Sequence, residues 1–165
     1  MIVKGWRVLF HPVFARRFRA LRLEAERLQR ELPPDRYRSH PTVRLLAGVD
    51  RLIRELVPED PNGADYQLRL DLVKFRRAKG QGLPPRYRLI WVFSTQAKAI
   101  IFLYLNDEET LRKAGLTSDP YEVFKKLLRQ GKIGDDFEAN RRMIDEASSE
   151  QNPPSQALDQ PIGEV

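Results

Sequence analysis

The chain has 165 residues, of which 41% are hydrophobic and 32% charged, and it contains no cysteine. That length suits one domain with appendages and buries a core without staples; the missing cysteines exclude a disulfide framework and a thiolate zinc site. Residues 1–106 hold 21 basic and 10 acidic side chains, net +11, while residues 107–165 hold 8 basic and 13 acidic, net −5, so the basic body favours a polyanionic partner, nucleic acid first.

The opening MIVKGWRVLFHPVF lacks the long apolar core of a signal peptide. No stretch reaches the ~20 apolar residues of a membrane helix. A soluble cytoplasmic protein with no membrane partner is expected. Residues 5–10 are rich in strand formers and are closed by His11-Pro12, which predicts a first strand. Residues 13–32 place Val13, Phe14, Phe18, Leu21, Leu28 and Leu32 at three- and four-residue steps, an amphipathic helix with an Arg-rich outer face. Pro33-Pro34 stop it, and DRYRSH reads as a polar connection. Residues 42–57 carry a second helical stripe, Leu45, Leu46, Val49, Leu52, Ile53 and Leu56. Two helices with a short polar link predict a helical hairpin.

The period then changes. YQLRLDLVKF alternates, with Leu68, Leu70 and Leu72 on one face, and predicts a strand. GQGLPP is a connection, RYRLIWVFST a second strand and KAIIFLYLN a third, more buried one. DEETLRKAG predicts a short capped helix, and Asp119-Pro120 cap and open a helix that ends at Gly131. A last helix is expected over 136–147. Residues 1–147 would form one domain, and 148–165, with three prolines, a disordered tail. Segregated strands and helices give an α+β fold. The late strands would form an antiparallel meander with the hairpin on one face and the cations on a partly open second face.

Chemistry has few carriers. GQGLPP lacks the Lys-Ser/Thr and the helix of a phosphate-binding loop. With two histidines, a metal site would need carboxylates, but Asp107/Glu108/Glu109 and Asp135/Asp136 read better as acids at helix N-termini. Neither metal nor cofactor is expected. The stretch LVKFRRAKGQGLPPRYRLIWVF differs: Lys74, Arg76, Arg77, Lys79, Arg86 and Arg88 occur with no acid among them. Strand alternation would project Lys74 with Arg76, and Arg86 with Arg88. Facing cations repel unless an anion lies between them, and Arg forks grip phosphate at two points. The plain alternative is an edge strand charged against aggregation.

This stretch, together with KAIIFLYLNDEETLRKAGLTSDPYEVFKKLLRQGKIGDDFE and the opening GWRVLFHPVFARRFRALRLEAERL, resembles YhaV-type toxins, a branch of the RelE/ParE superfamily of toxin–antitoxin modules. The resemblance covers residues 5–138. It implies a RelE-like fold: a small curved antiparallel sheet packed against a helical hairpin, here with extra C-terminal helices. It implies a type II toxin acting as a metal-independent endoribonuclease, an mRNA interferase that cleaves by 2′-OH attack, with the ribosome as a possible setting. The implied partners are mRNA, a PrlF-type (AbrB-like) antitoxin, and operator DNA bound by the toxin–antitoxin complex. Family motifs select Lys74 and Arg76 (K-x-K/R), Arg88 (Y-R-L) and Tyr121 near the C-terminal end, with His11 as an alternative acid or base. Arg77, Lys79, Arg86 and Tyr87 are expected to bind RNA. The chain departs from the family where a basic residue would follow the last strand: it reads Asn106-Asp107-Glu108. Because ParE-like relatives share the fold without ribonuclease activity, the alternatives are a non-enzymatic toxin of this fold or an RNA-binding module.

Overall fold

The computed structural model describes residues 1–151. Both His-Pro pairs begin helices by the same device. His11 caps α1 (Pro12–Glu31), and His40 caps α3 (Pro41–Arg51), each through a ring nitrogen that accepts the backbone N–H two residues on. Proline is then the first helical residue, where its missing N–H costs nothing. The linker between them is helical, as α2 (Pro34–Ser39), where a polar connection was expected. After α3 the helix widens into one π-turn (Leu52–Leu56) and ends in α4 (Val57–Glu59).

Five strands form one sheet: β1 (Ile2–Val3), β2 (Trp6–Phe10), β3 (Arg76–Ala78), β4 (Leu89–Ser94) and β5 (Ala99–Leu105), in the order β1-β2-β5-β4-β3. The α+β class is as expected, with the helical hairpin against the sheet. The sheet is mixed rather than purely antiparallel, because β2 pairs parallel with β5, Arg7 opposite Ala99 through Phe10 opposite Phe102. The chain between them passes through the helical hairpin, β3 and β4, which gives the long connection that parallel pairing needs.

Every residue of β5 is buried. On one face Trp6, Val8, Leu89, Trp91, Ile100 and Phe102 pack with Phe14, Phe18, Leu45 and Val49 of the hairpin. On the other, Ile90, Val92, Ile101 and Leu103 pack with Phe124 of α5 (Pro120–Arg129) and with Ile133, and α6 (Phe137–Gln151) adds Ile144. The second face is therefore covered, not open, and the cations cannot occupy it broadly.

Three further expectations change. YQLRLDLVKF is not a strand: it forms two 3-10 turns (Ala64–Tyr66 and Leu70–Leu72) with a single bridge from Gln67 to Arg76, and the strand starts at Arg76. The alternation fails at Leu70, whose φ of +56° turns the chain. Lys74 and Arg76 therefore share no strand face. Arg86 has φ +71° and lies ahead of β4, so it does not alternate with Arg88 either. DEETLRKAG holds one 3-10 turn, Glu108–Thr110, closed by a capping box between Asp107 and Thr110, and then runs irregularly to Asp119. Residues 148–151, expected in the tail, extend α6; the rest of the expected tail, 152–165, lies outside the described residues.

Loop 80–85 leads into Arg86–Arg88 and lies on α3 at Gly48. A Cβ at Gly48 would stand 2.2 Å from the backbone oxygen of Gly82. Backbone on both sides leaves no side chain to move aside. Gly48→Ala is expected to destabilise the protein by about 1–3 kcal/mol through overpacking, measured by urea unfolding. Unchanged stability would mean that the loop is not seated on the helix.

Candidate active site

Register decides which cations meet. Arg76 pairs with Trp91, and Ala78 with Leu89, so both face the helical hairpin. Arg77 pairs with Ile90 and faces α5. Arg88, two residues before Ile90, projects to the same side. There Asp119 caps α5 and places Tyr121 in its first turn. The Tyr121 hydroxyl accepts the Nε–H of Arg77 and the Nε–H of Arg88, each at 3.1 Å. Arg77 Nη1 donates to the Asp65 carbonyl at 2.7 Å, and Arg88 Nη1 to the Tyr87 carbonyl at 2.8 Å. Among the described residues, neither guanidinium has a carboxylate within 4 Å, and Nη2 of each has no protein acceptor.

Two buried polar residues hold this arrangement. Asn106, 1% exposed at the end of β5, accepts the Arg88 backbone N–H at 2.7 Å. Its amide donates to the carbonyls of Arg86 (3.1 Å) and Thr110 (2.8 Å). Asp119, 3% exposed, accepts from Arg112 Nη1 at 2.6 Å and from the Lys113 backbone at 2.8 Å, while its other oxygen takes the Tyr121 N–H at 3.2 Å. The Arg112 guanidinium then lies 5.1 Å from the centre of the Tyr121 ring. Three guanidiniums thus surround one phenol.

The group opens onto a groove of about 800 Å³, also lined by Arg69, Lys79 and Lys125, with Asp65, Asp71 and Glu122 as its other acids. Both acceptor directions of the phenol oxygen are occupied by arginines, which leaves its O–H as a donor. A bound anion would meet guanidinium and phenol donors together, a combination suited to a phosphodiester.

The other sequence candidates go elsewhere. Lys74 is exposed in a turn and does not line the groove. Arg76 bonds Asn62 Oδ1 at 2.9 Å and the carbonyls of Val73 and Phe75, and lies over the Phe93 ring. Arg86 donates to the Arg112 carbonyl at 3.1 Å. Tyr87 packs against the hairpin core, and its hydroxyl donates to Glu108; burial, then that carboxylate, raises its pKa. Of the expected RNA-binding residues, Arg77 and Lys79 reach the groove. Arg112 was missed because it sits in an irregular segment with no periodicity to flag it. Asp119 reads as a helix cap and is one, but its link to Arg112, like that of Asn106 to Arg88, spans turns that spacing does not reveal. Among the described residues, no three His, Asp or Glu side chains gather as a metal site.

A family model described as a toxin with endonuclease activity, of a toxin–antitoxin system, matches residues 8–145. The chain is 34% identical over 154 residues to the ribonuclease toxin YhaV of Escherichia coli K12, covering 87% of this chain and 95% of that protein. It is 33% identical to toxin YhaV of E. coli O6:H1, covering 88% and 96%. Among solved structures, it is similar at 19% identity and a TM-score of 0.38 to the toxin–antitoxin complex RelBE2 of Mycobacterium tuberculosis, covering 66% of this chain and 95% of that one.

His11 is 2% exposed and does not line the groove. Its Nδ1 accepts the Val13 N–H at 3.1 Å, so the ring proton sits on Nε2, 3.3 Å from Met143 Sδ. Burial lowers its pKa to about 4 from 6.5. The unfolded chain therefore binds the proton first, and stability present above pH 6.5 is lost as pH falls towards 4. The loss is about 2–3 kcal/mol by pH 4.5. His11→Asn keeps a cap that does not titrate, and its Tm should fall less than wild type between pH 7 and 4.5. Equal slopes would mean that His11 does not supply the pH dependence.

Proposed function

The chain belongs to the YhaV family of toxins with endonuclease activity, and from that premise we propose that it is a ribonuclease whose phosphate-binding centre is Arg77, Arg88 and Tyr121. The observation that carries this reading is the pair of arginine Nε–H groups on one phenol oxygen, at the wall of a groove and without a neutralising carboxylate. In cleavage by 2′-OH attack, negative charge builds on the non-bridging oxygens of the phosphorane, and preorganised guanidinium donors stabilise it. The free O–H of Tyr121 is placed to protonate the departing 5′-oxygen. Of the groove's carboxylates, Asp65, Asp71 and Glu122, the role of base for the 2′-OH proton is assigned to Glu122, which follows Tyr121 on α5. The products are a 2′,3′-cyclic phosphate and a 5′-OH. In this assignment Arg77 replaces Arg76, and His11 and Lys74 have no place in the chemistry.

The substrate class is mRNA, and Lys79, Arg69 and Lys125 would follow its backbone through the groove. A ribosome-bound message is the setting the family resemblance favours. An antitoxin partner follows from the toxin–antitoxin family. A PrlF-type antitoxin, with an acidic segment over the same guanidiniums, would inhibit by occlusion and carry the complex to operator DNA.

Two measurements test this. Arg88→Ala should lower cleavage of RNA, with or without ribosomes, by about 10²–10³-fold, and Tyr121→Phe by about 10²-fold. Unchanged cleavage by both variants would remove the assignment; RNA bound but left intact by wild type would favour the non-enzymatic alternative. Separately, Arg77→Glu with Arg88→Glu should weaken antitoxin binding at least tenfold in titration calorimetry. Undiminished affinity would place the antitoxin elsewhere.

A further inference from the structure

Away from its guanidiniums the groove has an apolar wall. Leu68, Leu70 and Leu72 alternate in sequence but separate in space. Leu72 is buried, and Leu68 packs partly against the second core cluster. Leu70, between them, is 87% exposed and has φ +56°. Both features are unfavourable. In the left-handed region Cβ crowds the following carbonyl oxygen, and the leucine side chain is left in water. A turn alone would be met at lower cost by Gly, Asn or Asp, which adopt this conformation readily. The leucine packs against nothing that would explain it, yet it lines the cavity that holds Arg77, Arg88 and Tyr121. At about 800 Å³ that cavity is far larger than one phosphate group.

We propose that Leu70 is the platform of a nucleobase subsite, on which a base of RNA lies when an adjacent phosphate is held by Arg77 and Arg88. This rests on the phosphate-site reading above. An apolar side chain suits the face of a base, which any of the four presents. Arg69 and Asp71 flank Leu70 and line the same cavity, which adds a donor and an acceptor to the polar groups around the apolar platform. The strained turn holds the side chain out before substrate arrives, which removes an ordering cost from binding.

The probes are a mixed-sequence 2′-O-methyl pentanucleotide, which lacks the attacking hydroxyl, and the same backbone without bases. Wild type should bind the base-bearing probe at least tenfold more tightly than the abasic one. Leu70→Gly and Leu70→Asn should weaken the first about tenfold and change the second less than twofold, with Tm no lower than wild type. Leu70→Met, still apolar, should bind both probes as wild type does. If wild type binds both probes equally, or if the variants weaken both alike, the base subsite is refuted and the phosphate site stands. A lowered Tm in both the Gly and the Asn variants would assign Leu70 a packing role and also refute it. Binding of neither probe by wild type would bring down the phosphate site and, with it, this inference.

Discussion

Two guanidinium groups share one phenol oxygen, and the rest of the structure is organised to keep them there. With each Nε 3.1 Å from Tyr121 Oη, the two Nε atoms stand no more than about 6 Å apart and the centres of charge no more than about 9 Å. At an effective dielectric near 20, charges that close repel by roughly 2 kcal/mol or more. A neutral phenol relieves little of it, and among the described residues no carboxylate lies within 4 Å of either guanidinium. An anion placed between them would reverse the sign of that energy. This is why a phosphodiester fits the site better than a neutral ligand does.

The repulsion has to be opposed by a frame, and the frame is polar and buried. Asn106 fixes residues 86–88 by accepting the Arg88 N–H and donating to two carbonyls. Asp119 ties the first turn of α5 to Arg112 and so fixes the phenol. A buried amide or carboxylate with all of these bonds made is rigid, and one left unmade costs roughly 1–3 kcal/mol. Such residues resist displacement when charge changes nearby. The hydrophobic core adds the third restraint: Ile90, two residues after Arg88 on β4 and opposite Arg77, packs with the second cluster and sets which way both arginines project.

Much of the fold was legible in the sequence, for physical reasons. The helices of the hairpin and α5 are long amphipathic runs with caps and prolines at their ends, so local signals and burial agree. The apolar runs of β4 and β5 are of the same kind. What failed was short. Leu68, Leu70 and Leu72 make only three alternations, too few to separate a strand from a pair of 3-10 turns, and the left-handed residue that decides has no signature when it is leucine. The site inherited that error. Reading a strand through residue 74 put Lys74 with Arg76; the true strand starts at Arg76, and its register gives Arg77 to the side of Arg88. The resemblance selected Arg88 and Tyr121, and the fold brings these two together at 3.1 Å. Arg77 was read as an RNA contact, and Arg112 was invisible, because its partners are brought to it only by the closed fold.

The groove therefore has two halves that differ in kind. Around Tyr121 every buried polar group among the described residues is bonded, and this over-determined geometry suits the proposed stabilisation of transient charge. Around Leu70 the chain is strained and an apolar side chain stands in water, an arrangement that stability alone would remove. Strain of this sort persists where binding uses it. The rigid half is suited to the phosphate, which is the same in every nucleotide. On the proposed assignment the strained half would face what varies from one nucleotide to the next, and selectivity could be altered at residues 69–71 without disturbing Arg77 and Arg88.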